Sequence, residues 1–140
     1  MKFQYLAPAL AALAFAGPAL AGDIEKGEKE FGKCKSCHMV VADDGTEIVK
    51  GGKTGPNLYG VIGRAAGSTD FKYSASLKAA GEKGLVWDEA SFVEYTADAG
   101  KFLKDYLEDP KAKSSMTFKL RKGGEDVAAW LASVAPAATN

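Results

Sequence analysis

The sequence predicts an all-α domain with unusually much loop, on three observations. Five segments bring apolar residues together at helical spacing, two of them behind the candidate caps Asp23 and Asp88. No stretch alternates apolar and polar residues as a half-buried strand does. Between residues 41 and 67 glycine, proline and asparagine recur so often that a long irregular loop is expected, and such a loop in a small domain folds around something.

The first segment lies outside that fold. Lys2 precedes the run LAPALAALAFA, which Pro8 interrupts and Gly17-Pro18 closes, and Ala19 and Ala21 then form an A-x-A pattern. This reads as a secretory signal peptide over 1–21, cleaved after Ala21, since a membrane anchor wants ~20 apolar residues. Residues 22–140 then form one exported domain. Asp23 reads as an N-cap, and IEKGEKEFGKCKSCH continues behind it with Ile24, Gly27 and Phe31 on one face. After the 41–67 loop, FKYSASLKAAG over 71–81 reads as a short helix ended by Gly81. Trp87 precedes the cap candidate Asp88, with Phe92 four positions inside, the spacing of a hydrophobic staple. That helix runs to about Asp98, where Gly100 is expected to break it, and KFLKDYLED makes another, stopped by Pro110. A lysine-rich loop, KAKSSMTFKLRKGG, leads to a last helix over 125–134 with Val127, Trp130, Leu131 and Val134 on one face.

Charge and cysteine usage narrow the function. The chain carries 18 basic and 18 acidic residues, and loss of Lys2 with the leader leaves one acidic residue in excess. No nucleic-acid partner is expected, because phosphate neutralisation needs a basic excess. Both cysteines and the single histidine fall within C34-K-S-C37-H38. A disulfide across two residues would constrain the unfolded chain little. A structural zinc site needs about four protein ligands, more than two cysteines and one histidine supply. A thioredoxin-type C-x-x-C belongs beside a βαβ pattern that this chain lacks. The remaining chemistry is c-type haem attachment: two thiols add across two vinyl groups, and the adjacent imidazole of His38 reaches the iron. On a helical turn the three side chains stand at i, i+3 and i+4, on one face.

A second axial ligand follows from composition. There is no second histidine, Met1 leaves with the leader, and Met39 is joined to His38 and so sits on the same side of the ring. Met116, between Ser115 and Thr117 in a loop without apolar periodicity, is the remaining soft ligand. A thioether favours Fe(II) and raises the reduction potential relative to a second imidazole. With both axial positions filled, the iron can only change oxidation state.

C-K-S-C-H, T-G-P-N-L-Y-G-V-I-G-R, Trp87 ahead of E-Y, and M-T-F, in that order, resemble the class I cytochromes c over about residues 23–134. The longer loops around 43–53 and 105–115 make the chain most similar to the cytochrome c2 group of purple phototrophic bacteria. The resemblance implies a cytochrome c fold of about five short helices and long loops wrapped around one covalently bound haem c. It implies that the Pro56 carbonyl takes the hydrogen bond from His38 and that Tyr95 bonds the Met116 sulfur. Arg64, Tyr73 and Trp87 would hold the haem propionates, and Gly27 and Phe31 would pack against Trp130, where the family more often has tyrosine. It further implies a monomeric periplasmic electron carrier rather than an enzyme. Such a carrier takes electrons from a cytochrome bc1 complex and gives them to a photosynthetic reaction centre or a cytochrome oxidase.

Lys101, Lys104, Lys111, Lys113, Lys119, Arg121 and Lys122 crowd the segment around Met116, where a haem edge would emerge, while residues 82–98 are mainly acidic. The basic segment is expected to dock acidic partners. Two other readings stay open on the residues alone: a five-coordinate haem enzyme or sensor, and a colourless thiol–disulfide oxidoreductase.

Overall fold

In the computed structural model of the chain, residues 22–136 are described. The leader expected over 1–21 lies outside them. Helix α1 spans Ile24–Glu30. Asp23 caps it, accepting from the Lys26 amide at 3.0 Å, and a 3₁₀ turn over Phe31–Lys33 extends it. Helix α2 is Ala75–Glu82, α3 is Glu89–Ala97, α4 is Ala99–Leu107 and α5 is Gly124–Val134. No helix among the described residues is long and apolar enough to cross a membrane.

The termini of the domain meet in one helix pair. Gly27 is buried against α5 so closely that a Cβ there would stand 1.9 Å from the Asp126 carbonyl oxygen and 2.8 Å from Cβ of Trp130. That approach lets Phe31 and Trp130 bring their ring centroids to 4.9 Å. Phe31 is 1% exposed and Trp130 4%, and Val127, Ala128 and Leu131 of α5 are buried as well. Helix α3 also packs on α5 and contacts α4, which in turn meets α2. Trp87 and Phe92 are both buried around the α3 cap. Asp88 accepts from the Ser91 amide at 2.7 Å while the Ser91 hydroxyl accepts from the Asp88 amide at 3.0 Å. The cap read from the sequence at Asp88 is thus a reciprocal capping box.

Three local expectations need correction. A two-stranded antiparallel hairpin, β1 over Val40–Val41 and β2 over Glu47–Val49, interrupts the loop region where no strand was expected. It is too short for alternation to reveal. Gly81 does not end its helix: it lies within α2, where a Cβ would come within 2.0 Å of the Ala66 carbonyl oxygen. The helix closes instead at Lys83 and turns at Gly84, whose φ is +105°. Gly100 likewise sits inside α4. The break between α3 and α4 falls at Asp98, with φ −162° and ψ 88°, whose carboxylate accepts from the Lys101 amide at 3.0 Å. Gly81 was read as a stop because sequence shows a missing side chain without showing that the Ala66 carbonyl occupies its place, whereas a Cβ at Gly100 would meet only the Asp98 carboxylate at 3.8 Å.

Candidate functional site

The 3₁₀ turn after α1 hands the chain to one further hydrogen-bonded turn. The Cys34 amide donates to the Phe31 carbonyl at 2.8 Å, and the Cys37 and His38 amides donate to the Cys34 carbonyl at 3.1 and 2.9 Å. This local winding, predicted from the i, i+3, i+4 spacing, lines up Cys34, Cys37 and His38 on one wall of a cavity of about 380 Å³. The loop 108–123 brings Met116 to the same cavity, and Leu58, Val61, Leu77, Phe92 and Leu120 make much of its lining apolar.

His38 is fixed from behind. Its Nδ1 donates to the Pro56 carbonyl at 2.8 Å, which assigns the proton to Nδ1 and leaves the Nε2 lone pair free. Burial pushes its pKa below the ordinary value, with the Pro56 carbonyl opposing, a direction that favours the neutral form metal ligation requires. Gly55 leaves room for it: a Cβ on residue 55 would lie 2.3 Å from Cε1 of His38. The two thiols are unbridged and differ. Burial pushes Cys34 up to about 11. Exposed Cys37 is drawn below its usual value by the Thr54 hydroxyl first and then that of Ser36, 3.8 Å from its sulfur.

The polar residues gather as a group. Segment 63–66 pairs with 85–87: the Gly63 and Ala66 amides donate to the Trp87 and Leu85 carbonyls, and the Trp87 amide donates to the Arg64 carbonyl at 2.9 Å. Arg64 and Trp87 therefore line the cavity as neighbours. The Arg64 guanidinium gives two bonds to backbone, Nη1 to the Tyr59 carbonyl at 3.1 Å and Nη2 to that of Asn57 at 3.2 Å. Burial lowers its pKa, and the nearby Tyr73 hydroxyl opposes that shift. Tyr73 also shares a hydrogen bond with Thr69. Buried Tyr95 packs on Trp87 with ring centroids at 4.9 Å, and burial raises its pKa. Its hydroxyl, expected at the Met116 sulfur, faces the Ser114 hydroxyl at 3.4 Å, and Ser114 accepts from the Met116 amide at 3.0 Å.

Pro56, Arg64, Tyr73, Trp87, Tyr95, Cys34, Cys37, His38 and Met116 are thus brought to one cavity. Gly55 and Asn57 were missed. Both sit in the quoted T-G-P-N motif, which was the signal, but their tasks arise from contacts with residues 38 and 41. A c-type haem fits this donor set: two free thiols, a neutral imidazole with its second nitrogen open, and a neutral thioether, around an apolar space with cationic and hydroxyl donors at one side.

No protein-family model matches the chain. It is 64% identical over 130 residues to cytochrome c-551 of Roseobacter denitrificans, covering 92% of this chain and 94% of that one. To cytochrome c2 of Rhodobacter capsulatus it is 60% identical over 135 residues, covering 96% and 98%. Among solved structures, Rhodobacter capsulatus cytochrome c2 superposes with a TM-score of 0.79 at 62% identity, covering 81% of this chain and 98% of that one. Ferric cytochrome c-550 of Paracoccus versutus gives a TM-score of 0.80 at 54% identity, covering 82% and 99%.

Proposed function

Because this chain belongs to the cytochrome c2 group of the class I cytochromes c, we propose that it shuttles electrons through the periplasm from a cytochrome bc1 complex to a photosynthetic reaction centre or a cytochrome oxidase. Membership makes it a haem electron carrier with one covalent haem c, and an electron-transfer protein rather than an enzyme. Residues 1–21 are the cleaved leader and 22–140 the mature domain in this proposal.

The observation that carries the reading is the convergence of Cys34, Cys37, His38 and Met116 on one cavity. Cys34 and Cys37 would hold the porphyrin as thioethers, with His38 Nε2 and the Met116 sulfur as axial ligands. Bound there, the haem supplies a one-electron Fe(III)/Fe(II) couple. The protein's part is positional. The Pro56 carbonyl holds the imidazole proton on Nδ1, and the apolar lining keeps water from the centre. Arg64, Tyr73 and Trp87 offer donors to the propionates, since buried carboxylates need them. Burial of an apolar centre also favours the ferrous state, because the ferric core carries the extra charge that desolvation penalises.

The test is a visible spectrum of the purified holoprotein with and without Met116→Ala. Wild type should show the ferric absorption of Met–Fe ligation, and its reduced form should not bind carbon monoxide. Acidified acetone should leave the colour on the polypeptide. Met116→Ala should bind carbon monoxide and lose potential at unchanged haem content. A variant with the wild-type spectrum and potential would move the ligand elsewhere.

A further inference from the structure

The carbonyl that orients His38 belongs to a loop with almost no regular structure, so its own position must be fixed by other bonds. Two are made by backbone. The Gly55 amide donates to the Cys37 carbonyl at 2.8 Å, and the Leu58 amide donates to the Met39 carbonyl at 3.0 Å. Between them, the third restraint comes from a side chain. Asn57 Oδ1 accepts from the Val41 amide at 3.0 Å, and Asn57 Nδ2 donates to the Val41 carbonyl at 2.8 Å. Both main-chain groups of Val41, at the end of β1, are therefore taken by one carboxamide, which stands where a neighbouring strand would. Asn57 Oδ1 also accepts from the Tyr59 amide at 3.1 Å. The Asn57 carbonyl accepts from Arg64 Nη2 at 3.2 Å.

We propose that Asn57 is a positioning residue for His38: its side chain clamps the loop to β1 and so sets how firmly the Pro56 carbonyl holds the imidazole. The inference rests on the reading of His38 as an axial ligand. The task demands a donor and an acceptor on one short planar group, which asparagine supplies and aspartate, serine or alanine do not. A firm Nδ1–H···O bond raises the basicity of Nε2 toward a metal. A more basic ligand favours the more highly charged ferric ion, so loosening the clamp raises the reduction potential.

The experiment compares wild-type holoprotein with Asn57→Ala, Asn57→Ser and, as a control of ordinary destabilisation, Asp23→Ala at the distant α1 cap. The midpoint potential is measured, and exchange of the His38 Nδ1 proton is followed by NMR in the ferrous state. Both Asn57 variants should shift the potential upward and speed that exchange, by about tenfold where one hydrogen bond is lost. Asn57→Ser keeps a hydroxyl for the Tyr59 amide and allows the measurement should the alanine variant lose its fold. Wild-type potential and exchange in the Asn57 variants, whatever their stability, would overturn the proposal. So would an equal shift in Asp23→Ala, which would mark a response to destabilisation alone. A different result marks failure of the axial reading itself: His38 ring protons in ferrous wild type without the large ring-current shift of a ligand against a porphyrin.

Discussion

Gly55 shows how tightly one residue can be specified by another. A methyl group there would stand 2.3 Å from Cε1 of His38 and 2.7 Å from each ring nitrogen. The ring is tethered at Nδ1 by Pro56, so it cannot swing aside without giving up that bond. Gly55→Ala should therefore destabilise the holoprotein by about 1–3 kcal/mol, the usual cost of overpacking. Urea unfolding measures it, and a loss within ~0.5 kcal/mol would mean that the ring has room to yield. At this scale the sequence was legible where chemistry is scarce. With one histidine and one methionine outside the leader and the His38 neighbour, His38 and Met116 had no competitors. Gly55 and Asn57 were not legible, because nothing in T-G-P-N says that one lies against a ring and the other mimics a strand. The Tyr95 hydroxyl facing Ser114 rather than the Met116 sulfur is of the same kind: a rotor's partner depends on angstroms that composition does not carry.

Among the elements, the α1–α5 pair carries the clearest stability prediction. Trp130 is buried against Phe31 and over Gly27, so Trp130→Ala should cost roughly 3–5 kcal/mol in denaturant unfolding. A loss under about 1 kcal/mol would contradict that burial. Helix starts bear on acid stability. The Lys26 amide first of all holds the Asp23 carboxyl below its usual range, and the Ser91 amide does so for Asp88. Folded values below the unfolded ones mean that the unfolded chain binds more protons as the solution acidifies. This stabilisation is complete above the unfolded carboxylate pKa of ~3.9 and is lost as pH falls through the depressed values. The urea midpoint should accordingly fall on the acid side of about pH 4, and Asp88→Asn, still a good cap but without a titrating group, should soften the fall. An unchanged acid profile in Asp88→Asn would remove Asp88 from the account. Helix existence and the cap at Asp88 were readable in advance because they rest on periodicity and on local cap chemistry. The boundary at Gly81 was misread because a glycine needed for close packing looks, in sequence, like one needed for a turn, and the one at Gly100 because the Asp98 cap, two residues earlier, already starts α4.

For the whole molecule, a neutral total hides how the charges are spent. Lys119 pairs with Asp98 at 2.7 Å, and Lys101 with Asp105. Lys83 bonds the Tyr106 carbonyl and lies 3.9 Å from Glu108. Lys113 makes no ion pair among the described residues, and its neighbour Ser114 accepts from the Met116 amide. Lys113→Glu should therefore slow association with an acidic redox partner and flatten its salt dependence, since rim charges act mainly on the association rate and reach ~8 Å at physiological salt. Lys83→Glu should do much less. Second-order rates against ionic strength compare the two, and equal responses would remove the docking role of the segment. The segregation of basic and acidic stretches was visible along the chain. Which lysines were already matched was not, because the pair between Lys119 and Asp98 is made only when α4 and the Met116 loop fold together.

That pair bears on how easily Met116 could be displaced from the position proposed for it. Asp98 ends α3, caps α4, and holds Lys119, while the Leu120 amide donates to the Thr96 carbonyl at 2.8 Å. Two helices and the chain just beyond Met116 are thus knotted at one residue. Swinging the 113–120 segment outward means giving up the Lys119 and Leu120 anchors on α3 and the start of α4 together. In the proposed haem complex, displacing Met116 should therefore be coupled to local opening where α3 meets α4, so this irregular loop is moored to two helices.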